Sequence, residues 1–229
     1  NCVKEGQFAS SLNSTSDLRY PIHPISQRMI YALFFGSGAA SLTLQVVWFK
    51  QLQYVLGSST VSVSVTIASF FLGLSLGSVL GGRTADSISR PLLLCGLLEL
   101  SLAAVSLAVT IFLSNWDTWV ACVAPHLSVT SPLRLPLMVL ISLTILVLPT
   151  MMMGATLPCL VKHLVHSRTI LAERVGILYG INTLGAAVGT SIVGFILIGI
   201  LGVLGTSLFA TALYISIGSL SLLIARDEL

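Results

Sequence analysis

Apolar residues in this chain stand in long unbroken runs, not in the strict alternation of a strand. Between Arg28 and Lys50 lies MIYALFFGSGAASLTLQVVWF, long enough for one crossing, since a spanning helix needs about 20 apolar residues. No charge occurs between Lys50 and Arg83, which leaves room for a turn at Gly57-Ser58-Ser59 and a second span. Further runs cover Pro91–Asn115, interrupted by Glu99, and Leu135–Val161. The stretch from Arg174 to Arg226 is uncharged and fits two helices broken near Gly202-Val203-Leu204-Gly205. The pattern therefore predicts an all-α, polytopic six-helix transmembrane bundle with spans near 29–49, 60–82, 91–114, 136–161, 176–201 and 204–225. Residues 1–28 form a polar tail, 29–225 the membrane domain, and 226–229 the start of a C-terminal segment. Continuous apolar runs without alternation argue against a β-barrel.

Composition agrees with this pattern. Of 229 residues, 55% are hydrophobic and only 8% charged, against roughly 25% charged in soluble domains. So few charges cannot coat a soluble fold, and a net charge of +3 gives no phosphate-binding surface, so no nucleic-acid partner is expected. The four cysteines are scattered without CxxC spacing, so neither a disulfide framework, a metal site nor a cofactor is expected. With the N-terminus in the cytoplasm, nine cations (Lys4, Arg19, Arg28, Arg83, Arg90, Lys162, Arg168, Arg174, Arg226) fall inside and two, Lys50 and Arg134, outside. That asymmetry predicts both termini cytoplasmic, as expected of a multi-pass protein of a bacterial-type inner membrane. Trp48, Trp116 and Trp119 fit an outer aromatic belt, where indoles favour the headgroup level.

Small residues mark where helices meet. Gly73, Gly77 and Gly81 repeat every four residues, as do Gly185 and Gly189, and such faces let backbones approach closely in lipid. They serve packing within the chain or contact with other membrane subunits or a second copy. Pro149, Gly154 and Pro158 cluster in the fourth span and predict a helix kink, because proline removes a backbone donor. Broken helices also carry binding sites in transporters.

Polar chemistry inside the bilayer is sparse. Glu99 lies nine residues past Arg90, about 13 Å deep at 1.5 Å per residue. An ionised acid there costs on the order of 3 kcal/mol, so it is expected to be protonated, paired or facing a polar cavity. Asn182 and Gln45 are its candidate partners, in a cation- or proton-coupled site or a hydrogen-bonded clamp between helices. In the loop GGRTADSISRP, Asp86 lies within reach of Arg83 and Arg90 and can form a charge clamp, while Ser89 can cap the helix opening at Pro91.

The runs GSGAASLTLQVVWFKQLQYVLGSS, SFFLGLSLGSVLGGRTADSISRP, LLELSL, MGATLPCLV and VGILYGINTLGAAVGTSIVGFIL occur in this order over residues 29–225. Together they resemble the N-terminal membrane domain of fused membrane spermidine (spermine) synthase-like proteins. More loosely, the Gly81–Pro91 loop is similar to the loop between the second and third helices of the major facilitator superfamily, six spans being half of such a transporter. The resemblance implies a membrane domain that continues into a soluble aminopropyltransferase. Two departures stand out. Gln45 replaces the acid usual in a YEVVW-like segment, and no glycine-rich, acidic aminopropyltransferase motif occurs in the chain. No catalytic residue is therefore carried over, and no enzyme activity is expected.

The resulting expectation is a non-catalytic membrane module in the lipid bilayer. It serves as an anchor for a cytoplasmic synthase-like domain or as an accessory, structural subunit of a larger membrane assembly. The alternative is a transporter or half-transporter for polyamines or another small solute, with its site near Glu99 and Asn182.

Overall fold

A computed structural model describes residues 24–123, 132–165 and 171–227. Every element among them is helical. They are α1 (Pro24–Leu56), α2 (Ser59–Ser87), α3 (Pro91–Ser114), the short α4 (Trp116–Val123), α5 (Arg134–Leu164), α6 (Leu171–Ile192) and α7 (Ile198–Asp227), with a π turn, Val193–Leu197, between the last two. Five helical stretches are long and apolar enough to cross a membrane, the last being the 57-residue run Leu171–Asp227, as an integral membrane protein requires. The helices overrun the expected spans: α1 has 33 residues and α5 has 31, about 50 and 46 Å of helix against a hydrocarbon core of about 30 Å. A charge-free run locates the membrane-buried length of a span, whereas the helix continues until a cap or a turn stops it.

Those stops are local. Gly57 adopts φ 66° and ends α1, and Ser58 caps α2 by accepting from the Val61 amide. At the start of α3 the cap position is Arg90, which makes no side-chain cap bond; Pro91 is the first helical residue. The expected Ser89 cap is thus not used, because Pro91 already sets φ for the first turn. Within the 57-residue run the reversal falls at Gly202, with φ 67° and ψ −178°. This region of the backbone map is open essentially to glycine alone.

Side-chain pairs give the relative helix directions. Ser37 meets Glu99 and Gln51 meets Ser114, so α1 and α3 run the same way. Arg174 reaches Tyr31, and Gly189 packs on Ala39, so α6 runs with them. Tyr214 meets Ser41 while Ile217 meets Gly36, so α7 runs against α1. The two halves of the Leu171–Asp227 run therefore lie on α1 in opposite senses. The helices α2 and α5 run parallel to each other, Ser69 lying beside Thr150 and Gly81 beside Ala155.

Glycine governs the two closest crossings. A Cβ on Gly73 or Gly77 would run into Thr150 or the Met151 backbone, and one on Gly81 would lie 2.6 Å from the Ala155 Cα. A Cβ on Gly185 or Gly189 would strike the Phe35 or Ala39 carbonyl. All five expected packing glycines thus serve contacts within the chain. The opposite faces carry large apolar side chains outward, Phe195 (88% exposed) and Phe71 among them, as lipid-facing surfaces do. The outer end of the first span departs from expectation: Trp48 is fully buried, and its indole donates to Thr110 Oγ1 at 3.3 Å. Position 48 falls on the α1 face turned to α3, and this packing overrides the interfacial preference. Trp116 is buried as well, whereas Trp119 is half exposed and stacks on Phe112.

The helix α5 runs as one element through Pro149, Gly154 and Pro158. At Pro158 a side chain stands in for the missing amide. Pro158 has no N–H for the Gly154 carbonyl four residues back, and the Ser78 hydroxyl of α2 donates to that oxygen at 3.3 Å. Beside Pro149, Thr150 Oγ1 lies at 2.8 Å from the Leu146 carbonyl and 3.0 Å from the Ser69 carbonyl.

Candidate functional site

Two apolar clusters enclose a polar layer. On one side lie Ile30, Phe34, Leu92, Cys95, Cys159 and Leu178; on the other, Leu44, Trp48, Leu102 and Leu113 among others. Between them, Ser37 and Ser41 of α1 face Glu99 of α3 and Tyr214 of α7. These four occupy matching levels because residues four apart on a helix share a face.

Glu99 is 1% exposed. Ser37 Oγ donates to its Oε1 at 2.7 Å, while Oε2 is buried without a hydrogen-bond partner. Ser41 Oγ donates to the Ser37 carbonyl at 2.8 Å and shares a second 2.8 Å hydrogen bond with the Tyr214 hydroxyl. A cavity of about 10 Å³ opens beside Glu99, lined also by Cys95, Phe34, Leu160 and Ser221. That is about the room one water needs.

The partners expected for Glu99 are not the ones found. Asn182 of α6 lies against Gly38, not against the acid. Successive helical residues diverge by about 100°, so Ser37 faces α3 while Gly38 faces α6. Gln45 lies eight residues beyond Ser37, about 12 Å further along α1. Ser37 and Tyr214 do not stand out in the sequence, because serine and tyrosine are common in spans. The signal that points to them is the Ser37/Ser41 spacing, which puts two hydroxyls on one face beside a single buried acid.

The loop clamp is also rearranged. Asp86 forms its ion pair with Lys162 of α5 at 3.6 Å, both side chains well exposed, while Arg83 and Arg90 make no ion pair among the described residues. The parallel α2–α5 crossing brings the ends of those two helices together and places Lys162 nearer than either loop arginine.

Farther along the same face of α1 the polar contacts continue. Thr110 shares a 2.8 Å hydrogen bond with Ser207. The Gln51 amide donates to the Thr110 carbonyl at 2.9 Å and to Ser114 Oγ at 2.8 Å. Tyr54 donates to Asp117 at 2.8 Å. Ser106 Oγ, between the two groups of contacts, is buried without a partner. No group of three or more potential metal ligands occurs among the described residues.

The chain matches no protein-family model, no curated protein and no solved structure. The resemblance drawn from its sequence therefore rests on the five motifs alone.

Proposed function

We propose that the chain is a non-catalytic membrane module: a six-span platform that anchors a cytoplasmic synthase-like domain or serves as a structural subunit of a larger assembly. The observation that carries this reading is the closure of the bundle around its one mid-membrane acid. The space beside Glu99 is about 10 Å³, far below the roughly 300–1,000 Å³ of sites that enclose a small molecule. Helices α1 and α6, and α2 and α5, meet backbone to backbone through glycine, which favours a fixed scaffold.

Six crossings follow if the Leu171–Asp227 run turns back at Gly202, as the opposite directions of α6 and α7 along α1 support. The cation bias then places both termini and the Lys162 end of α5 in the cytoplasm, and Lys50 and α4 outside. A bacterial-type inner membrane is the matching location. Accessibility of single cysteines placed at Gly57, Ser89 and Asp227 tests the topology: the first should react from outside and the other two from inside.

A half-transporter is the second reading, favoured by the unpartnered Glu99 Oε2. Uptake of labelled spermidine into proteoliposomes separates the two. A platform gives uptake no faster than empty vesicles. Saturable uptake that disappears in Glu99→Gln would establish transport instead.

A further inference from the structure

Water is nearer to Glu99 on the cytoplasmic side: Pro91 is eight residues away, about 12 Å, whereas Ser114 is fifteen away, about 22 Å. Yet the short side holds only the cavity of about 10 Å³, walled by Ile30, Phe34, Leu92 and Leu160 with Ser221 as its one hydroxyl. The long side carries a longer run of polar groups. From Glu99 outward stand Ser37, Ser41 with Tyr214, Ser106, and Thr110 with Ser207, all buried between α1, α3 and α7. Beyond them Gln51 and Ser114 line an outer cleft of about 300 Å³ with Lys50 and Tyr54. Hydroxyls that only stabilise helices bond to carbonyls of their own turn or to each other. Two groups in this line do neither: Glu99 Oε2 and Ser106 Oγ are buried with no partner, and they stand seven residues, two helical turns, apart on the same face of α3.

We infer that Glu99 is a proton-binding site that exchanges with the outer aqueous phase along this hydroxyl seam, the cytoplasmic side being sealed. A hydronium in the outer cleft gives up its proton, which passes along hydroxyls and intervening water to Oε2. The carboxylate becomes a neutral carboxylic acid and Ser37 keeps its bond to Oε1. Release runs the same route backward and restores the carboxylate, with no other bond made or broken. The titratable groups around the acid are Cys95 one turn away on α3, Cys159 of α5 in the adjoining cluster, and Tyr214 of α7. The one ion pair among the described residues, Lys162–Asp86, lies at the exposed cytoplasmic end. The outer and cytoplasmic sides rest on the topology proposed above, whereas a partner or a transported solute is not required.

Infrared spectroscopy of the full chain in lipid bilayers tests it. A carboxylic-acid C=O band absent from Glu99→Gln identifies the group, and Glu99→Asp, which should shift the band, serves if the glutamine variant does not fold. On transfer to D2O the band should shift as the proton exchanges. Ser106→Leu, which plugs the seam, should slow this exchange about tenfold or more, equivalent to a barrier increase of about 1.4 kcal/mol. Ser106→Ala, which preserves packing, should slow it less. Ser221→Leu, on the cytoplasmic side, should leave it unchanged. Absence of an acid band at every pH at which the fold survives would overturn the inference. So would exchange indifferent to both Ser106 variants, or exchange slowed by Ser221→Leu instead.

Discussion

The Ser78 hydroxyl of α2 donates to the Gly154 carbonyl of α5, the oxygen that Pro158 deprives of its helical amide. A proline in one helix is thus accommodated by a serine in another, and the two substitutions should be coupled. Ser78→Ala should cost about 0.6–1.5 kcal/mol. In a Pro158→Leu background the regained amide satisfies the carbonyl, and the same change should cost close to nothing. A double-mutant cycle by reversible denaturation in mixed micelles measures the coupling.

Identical substitutions should have opposite outcomes on glycines of the same helical type. Gly77→Ala drives a Cβ into the Met151 carbonyl and should destabilise the bundle by about 1–3 kcal/mol or more, as overpacking does. Gly176→Ala meets nothing within 4 Å and should be neutral or stabilise by up to about 1 kcal/mol, because alanine loses less backbone entropy. Unfolding midpoints of the two variants decide it. A larger loss in Gly176→Ala would contradict the assigned crossing.

Gly202 requires a conformation closed to other residues. Gly202→Ala should cost about 1–3 kcal/mol, visible as a lower thermal midpoint. Gly205→Ala, three residues on and in regular helix, meets only the Leu201 side chain at 2.9 Å. It should cost less.

The Lys162–Asp86 pair spans 3.6 Å between exposed side chains. Its coupling energy should be at most about 1 kcal/mol. It should fade between low and molar salt as the Debye length shrinks to about 3 Å. A salt-insensitive coupling would mean that a partner or the lipid headgroups bury the pair.

Much of the architecture is legible in the sequence because its causes are local. Charge-free length places the helices, Gly57 and Gly202 stop them, and glycines four apart announce the crossings. The partners across those crossings are not legible. Whether Glu99 meets Asn182 or Ser37 depends on a rotation of about 100° on α1, which apolar periodicity cannot resolve in a helix that is apolar all round. For the same reason Trp48 reads as an interfacial residue while it packs into the core. Asp86 likewise finds Lys162, 76 positions away, in place of the two arginines beside it in the chain.

The helices that pack most closely are distant in sequence. Gly185 rests on Phe35, and at roughly 5–20 residues per second the intervening 150 residues take on the order of ten seconds to synthesise. During that interval α1 is in the membrane with its Gly38 face open, and α2 likewise waits for α5. Birth of the chain and closure of the bundle are therefore separate events, and the last quarter of the polypeptide completes the packing of the first.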